Sequence, residues 1–283
     1  MPTPAPGPSG PSGAPPPQPL PPEFYLRDAV TVARELLACR LVHRLPDGAR
    51  LVATIVETEA YRQSDPASHS HRGPTARTQV MFGPPGHAYV YLIYGIYDCF
   101  NIVCEPEGEG AAVLIRAVEP VAGWRRMWEL RFPEQEPPDW LLRAETGPAA
   151  APRPSGKEPR PGRRSEPARG DRPPSAVRNL TSGPGKLCRA LGITRAAHDG
   201  VALWGEGELV VMPPEGWRWD GEPPEPEPPA HADEASAWAR PWTRRWPLAG
   251  GAVTRARRVG ITKAAEREWR FFVPGSPFVS RAR

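Results

Sequence analysis

The chain of 283 residues has no run of about 18 apolar residues, the length a helix needs to cross a bilayer. Its first residues have neither the basic segment nor the apolar stretch of a secretory leader. Cysteine is scarce. Cys39, Cys99, Cys104 and Cys188 form no C-x-x-C pair and sit in no tight Cys/His cluster of zinc-ligand spacing. A disulfide framework and a zinc ribbon are thereby excluded, and the four thiols read as small buried apolar residues of a reducing compartment. A strong charge of either sign is also missing, since the net charge is only +4. That mild basic balance permits nucleic-acid binding without demanding it. No internal repeat is present. The expectation is a soluble monomer with no membrane partner, cytoplasmic, and nucleoid-associated if the source is bacterial.

What the chain has in excess is proline, 41 residues, roughly three times the usual share. Residues 1–22 hold 11 of them, with Gly, Ser and Ala and almost no large apolar side chain. Such a segment cannot bury enough surface to offset its ordering entropy and reads as a disordered, partly polyproline-II tail. Residues 133–175 mix proline with Arg, Lys, Glu and Ser, and 213–232 repeat the pattern with Glu. Both read as flexible insertions, the first a solvated linker or a loop that hugs DNA.

Between these segments the periodicities are those of a packed domain. Asp28 can cap a helix whose apolar face is Val30, Ala33, Leu36 and Leu37. Leu41 to Leu45, a Pro46-Asp47-Gly48 turn and Leu51 to Tyr61 read as a hairpin. Ala88 to Cys104 and Ala111 to Val118 carry strand signals, with Gly108 to Gly110 in the connecting turn. Ser182-Gly-Pro-Gly starts a helix over Lys186-Leu-Cys-Arg-Ala-Leu. Arg258-Val-Gly-Ile and Trp269 to Val273 look like two closing strands. Neither half has a full set of elements alone. The expected fold is α+β, a single domain over 23–283 with a curved, mostly antiparallel sheet flanked by helices and interrupted by the two Pro-rich insertions.

Three stretches could carry chemistry. In Val56-Glu57-Thr58-Glu59-Ala60-Tyr61, a strand puts Glu57, Glu59 and Tyr61 on one face. Paired carboxylates beside an aromatic suit general-base work if buried, or an edge strand of solvated acids if not. Alternation does not say which glutamate would be the base. Ser68-His69-Ser70-His71 is a polar loop whose histidines could ligate a metal only with further ligands, for which the acids are the sole candidates nearby. Hydrogen bonding or stacking on a ligand is the other use. Tyr89-Val-Tyr91-Leu-Ile-Tyr94-Gly95-Ile-Tyr97 places four tyrosines in nine residues. That is either an aromatic core strand or a platform for unstacked bases with a protruding side chain at its turn.

Together these stretches closely resemble the alkyladenine (3-methyladenine) DNA glycosylases, the purine-specific kind without a helix-hairpin-helix motif. The likeness runs in order through Ile55-Val-Glu-Thr-Glu-Ala-Tyr61, Asp65-Pro-Ala-Ser-His69, Arg72-Gly-Pro-Thr75, Met81-Phe-Gly-Pro-Pro-Gly86 and Tyr89 to Gly95. It continues through Asn101-Ile-Val103, Leu114-Ile-Arg-Ala-Val-Glu-Pro120, Leu180 to Cys188 and Gly275 to Ser280. It departs at Arg77-Thr78, where the family usually has Arg-Asn. The resemblance implies that Glu59 is the catalytic base and Glu57 a support. It implies that Tyr61, His69 and Tyr91 sandwich an extruded purine and that Asn101 disfavours a guanine amino group. By the same likeness Arg116 lies near the flipped nucleotide's phosphate and Tyr94 fills the gap left in the stack. It implies no cofactor, no metal and no Schiff-base lysine, with duplex DNA carrying damaged purines as partner. The implied reaction is hydrolysis of the N-glycosidic bond of 3-methyladenine, 7-methylguanine, hypoxanthine or ethenoadenine, leaving an abasic site. Two rival readings are a non-catalytic damaged-DNA-binding module on the same fold and a metal-dependent hydrolase built on His69, His71 and the acids.

Overall fold

A computed structural model describes residues 18–138, 175–214 and 253–280. Most of the two Pro-rich insertions and residues 1–17 lie outside these.

Packing begins before Glu23. Leu20 is fully buried and its N–H donates to Val211 O at 2.8 Å, ahead of a short helix, α1 (Pro22–Tyr25), that buries Phe24 and Tyr25. Helix α2 (Ala29–Glu35) is capped as its sequence predicts: the Asp28 carboxylate accepts the N–H groups of Val30 and Thr31. Strand β1 (Arg40–Arg44) turns through Pro46-Asp47-Gly48 into β2 (Arg50–Tyr61), and the pair is in antiparallel register. A hairpin follows, β3 (Ala88–Ile93) and β4 (Tyr97–Val103), then β5 (Ala112–Ala122). Helices α3 (Trp124–Arg131), α4 (Ser175–Thr181), α5 (Pro184–Leu191) and α6 (Arg195–His198) lead to β6 (Leu209–Met212). Two short strands close the described chain, β7 (Thr254–Ala256) and β8 (Arg270–Phe272).

The strands form one antiparallel sheet in the order β3-β4-β5-β2-β1-β6, with β8 also on β2 and β7 on β8. Strand β2 is therefore the spine. One edge pairs with β5; the other pairs with β1 up to Thr54 and with β8 from Glu57 to Glu59. Register shifts against β5 on both sides of Glu57 bend the spine where its partner changes, and such bulges curl a sheet. The α+β single-domain expectation holds. The helices pack on one face of the sheet over a core that includes Leu36, Ile55, Phe100, Ile115 and Leu187. Thr58, on that face of β2, donates its hydroxyl to Ala33 O in α2 at 2.6 Å.

One expectation needs correcting. Arg258-Val-Gly-Ile is a loop; the closing strand comes earlier, at Thr254–Ala256. The reason is local. The Val259 N–H is given to a side chain of the site instead of to a neighbouring strand, and Gly260 takes a left-handed φ of 77°.

Candidate active site

Because β2 is flanked on both edges where Glu57 and Glu59 sit, neither carboxylate is a solvated acid of an edge strand; both are fully buried. Their surroundings separate them. The Glu57 Oε1 accepts from Nε of Arg270 at 2.6 Å and from the Ser280 hydroxyl at 2.7 Å, and its Oε2 accepts the Ser280 N–H at 2.6 Å. This carboxylate is a brace between β2, β8 and the last described residue. Glu59 is held by groups that also face a cleft. Its Oε2 accepts the Tyr61 hydroxyl at 2.9 Å and Nη1 of Arg116 at 3.2 Å, and its Oε1 accepts the Val259 N–H at 2.7 Å.

Burial is the main influence on the Glu59 pKa and raises it. Arg116, the Val259 N–H and the Tyr61 hydroxyl pull it back, Glu57 pushes it up again, and the net position is above the ordinary carboxylate value. Arg116 experiences the converse. Burial would lower its pKa, but the fields of Glu59 and Glu57 override that and fix the charge. Its Nε lies 3.4 Å from Glu57 Oε1, so one guanidinium spans both carboxylates.

In front of this trio opens a cleft of about 360 Å³, within the usual range for small-molecule sites. Tyr61, Arg116 and Val259, the three groups that hold Glu59, all line it, while Glu59 itself lies directly behind them. Tyr89 and Tyr91 form one wall, ring centroids 5.6 Å apart, and His69 meets Tyr91 edge-on at 4.5 Å. The imidazole Nδ1 is 3.1 Å from the Tyr89 hydroxyl. Burial and the nearby Arg77 charge lower the His69 pKa, so the ring stays neutral at physiological pH. Burial raises the Tyr89 phenol to about 12 and lifts Tyr91 and Tyr61 as well, so all three present neutral rings. The Asn101 amide nitrogen donates to Tyr89 O at 3.0 Å and Cys99 O at 3.2 Å, which leaves its Oδ1 for the cleft it lines. The opposite wall is the loop Val259 to Lys263.

Tyr94 stands apart, at the tip of the β3–β4 hairpin and 84% exposed. Tyr94 and Gly95 both have positive φ, 54° and 69°, and Ile96 N–H closes the turn on Ile93 O. This is the turn for which Asn-Gly is the usual choice. A tyrosine in its first position is held in a conformation its side chain disfavours, and exposed Ile96 and Tyr97 extend the apolar tip.

Of the residues singled out from sequence, Tyr61, His69, Tyr91, Asn101 and Arg116 come together around one cleft with Glu59 behind it. His71 does not join them; it is exposed and its ring approaches Gln63 O at 3.2 Å. Among the described residues no group of three or more His, Cys, Asp or Glu side chains could hold a metal ion. Thr78, in place of the family's usual Asn, uses its hydroxyl to accept Thr75 N–H at 2.9 Å and close the turn below His69. Sequence reasoning missed Val259, Arg258, Arg270 and Lys263, and assigned no role to Asp65. The first four come from 253–280; Val259, Arg258 and Arg270 bond residues of β2 and the following turn about 200 positions earlier, a pairing no local pattern announces, and Lys263 lines the cleft.

A curled antiparallel sheet with a buried, donor-held carboxylate behind an aromatic cleft defines an α+β protein with a hydrolase-type site. The chain belongs to the methylpurine-DNA glycosylase family, whose profile matches residues 23–226. It is 40% identical over 262 residues to a protein of Methanoculleus marisnigri named "Putative 3-methyladenine DNA glycosylase", covering 93% of this chain and 98% of that one. Proteins of the same name from Methanocella arvoryzae (37% identical, 93% and 96% covered) and Bacillus thuringiensis (35%, 92% and 98%) are similar over the same extent.

Proposed function

We propose that this protein hydrolyses the N-glycosidic bond of alkylated or deaminated purines in duplex DNA, on a base rotated out of the helix, with Glu59 as general base. The reading rests above all on the Glu59 carboxylate, whose three hydrogen-bond donors all line the aromatic cleft. A carboxylate offers about four lone-pair positions. Three are taken, and the remaining one, on Oε1, is where an attacking water is held.

A base cannot be attacked inside the stack, so it is extruded, at least cost for damaged bases. Tyr61, His69 and Tyr91 then grip it. Methylation at N3 or N7 makes a purine cationic, which strengthens its attraction to tyrosine faces and makes it a better leaving group. Asn101 is placed to test the groove edge of the purine. As the bond lengthens, positive charge develops on the sugar and a nearby carboxylate stabilises it. Glu59, with its raised pKa, then takes the proton of the incoming water. The exposed, apolar hairpin tip suits Tyr94 to fill the vacated place in the duplex. Arg116 organises the carboxylates and offers its cleft-facing side to the backbone of the flipped nucleotide. The proposed product is free base and an intact strand with an abasic site; Lys263 lines the cleft, so the test also looks for strand cleavage, which would assign that amine a Schiff-base role.

The test is direct. Duplexes carrying one 3-methyladenine-like, 7-methylguanine, hypoxanthine or ethenoadenine lesion are incubated with the protein and released bases are identified. At least one base is released by wild type and none by Glu59→Gln, which still binds lesion duplex. Wild-type rates in that variant would falsify the assignment of the base. A wild type that binds lesions and releases nothing favours the binding-module reading instead.

A further inference from the structure

Beneath the cleft lies a buried ion pair that the reaction described above does not use. Arg258 and Asp65 bond side chain to side chain, and neither side chain has any exposure. The Arg258 Nη1 also donates to Ala60 O at 3.0 Å and its Nη2 to Ala264 O at 3.4 Å. Its guanidinium carbon lies 4.7 Å from the Tyr61 ring centroid and 5.3 Å from that of Trp269. Asp65 caps a turn of its own: its Oδ1 accepts Ala67 N–H at 3.1 Å and its backbone oxygen accepts Ser68 N–H at 2.9 Å. Ser68 in turn caps the short 3-10 turn His69–Arg72.

We propose that Arg258, through Asp65, is a positioning residue that holds three separate walls of the cleft, and with them the general base, in one register. This rests on the hydrolytic reading. The three walls are Tyr61, under whose ring the cation sits; the His69 turn, anchored through Asp65; and the Val259–Lys263 loop, of which Arg258 is the root. Two of the three donors on Glu59 are tied to this one residue. Val259 is its chain neighbour, and Tyr61 is gripped through both the ring and the carbonyl of Ala60.

Stability alone does not account for the arrangement. A buried ion pair is commonly no better than apolar packing of the same volume, because two charges are taken out of water. The Arg258 Nε is moreover buried with no hydrogen-bond partner among the described residues, so these leave the fork not fully satisfied. What the pair supplies that apolar side chains cannot is directional bonding to three chain segments at once.

The experiment uses the full chain with Arg258→Met and Arg258→Lys. Single-turnover excision, affinity for a duplex containing an abasic-site analogue, and the pH dependence of excision are measured. Small displacements of reacting groups cost about 100-fold in rate. Arg258→Met is expected to lose excision on that scale while its affinity for the abasic duplex stays within about threefold, since that ligand needs neither base stacking nor Glu59. Arg258→Lys, which keeps the cation under Tyr61 but reaches fewer acceptors, falls between. The groups facing Glu59 are Arg116, Glu57, Tyr61 and the Val259 N–H. Loosening the last two removes donors that favour the charged carboxylate, so the acid limb of the rate profile moves to higher pH. A limb and a rate unchanged in either variant overturn the proposal, as does a parallel loss of excision and abasic-site binding with no shift of the limb. Should Arg258→Met fail to fold, the Lys variant decides by the same readings. A wild type that releases no base overturns the hydrolytic reading itself, a result distinct from an active wild type matched by its variants.

Discussion

Tyr94 shows how one residue can be read in sequence for its chemistry but only in the structure for its cost. Four tyrosines around a glycine suggest a protruding aromatic; they do not say that its backbone is left-handed. A non-glycine residue in that region costs about 1–2 kcal/mol. Asparagine tolerates it. Tyr94→Asn is therefore expected to raise the melting temperature slightly or leave it unchanged, and to weaken binding to an abasic-site duplex several-fold. Lower stability together with full affinity would remove both the strain and the wedge. The two glutamates teach a related lesson. Alternation placed Glu57 and Glu59 on one face correctly, yet their surroundings diverge because Arg270 and Ser280 claim the first and Val259 the second. Those partners lie about 200 residues further along, so spacing within β2 held no information about them.

At the scale of elements, the β1–β2 hairpin, the Asp28-capped helix and the helix after Gly183 were legible because each is written in local code: a turn, a cap, a proline at the first position. The forked spine was not, since it depends on which strand meets which edge. Another element-level feature has a measurable consequence. The β1 strand is tied to the α5–α6 junction by two histidines. His43 Nδ1 donates to Leu191 O at 2.7 Å, and its Nε2 lies 3.2 Å from His198 Nε2, whose Nδ1 is 3.1 Å from both the N–H and the carbonyl oxygen of Thr194. A carbonyl oxygen only accepts, so the His43 Nδ1 carries the proton of its bond to Leu191 and the neutral ring turns an accepting Nε2 toward His198. Burial, more than the neighbouring His198, lowers the His43 pKa. The unfolded chain therefore binds a proton more readily than the folded one. The stability that neutral His43 contributes is complete above about pH 6.5, the unfolded value, and is lost as pH falls through the folded one. Between pH 7.5 and 5, His43→Gln is expected to lose less melting temperature than wild type; an equal or steeper loss would show that the pair is not the acid-sensitive joint.

Across the whole molecule, proline content is a poor guide to the edge of the packed domain. Leu20 sits in a proline-rich stretch and still packs, because one large apolar side chain and one N–H reach the rim of β6. Among the described residues no helix is long and apolar enough to cross a membrane. Family membership was readable because the cleft-lining residues fall in collinear blocks, while the back of the site is assembled from single residues scattered through the last segment.

That assembly orders events during synthesis. Strands β1 to β5, with the aromatic wall and Glu59, leave the ribosome well before residues 253–280, which bring the Val259 N–H, the Arg258 root and the Ser280 clasp on Glu57. Chains emerge amino-terminus first. A nascent molecule therefore has the Tyr89 and Tyr91 wall before the segment that completes the cleft and bonds Glu59. On the proposed reading, a chain stopped at residue 252 is expected to release no base from any lesion duplex, so an unfinished copy would leave no stray abasic sites in nearby DNA.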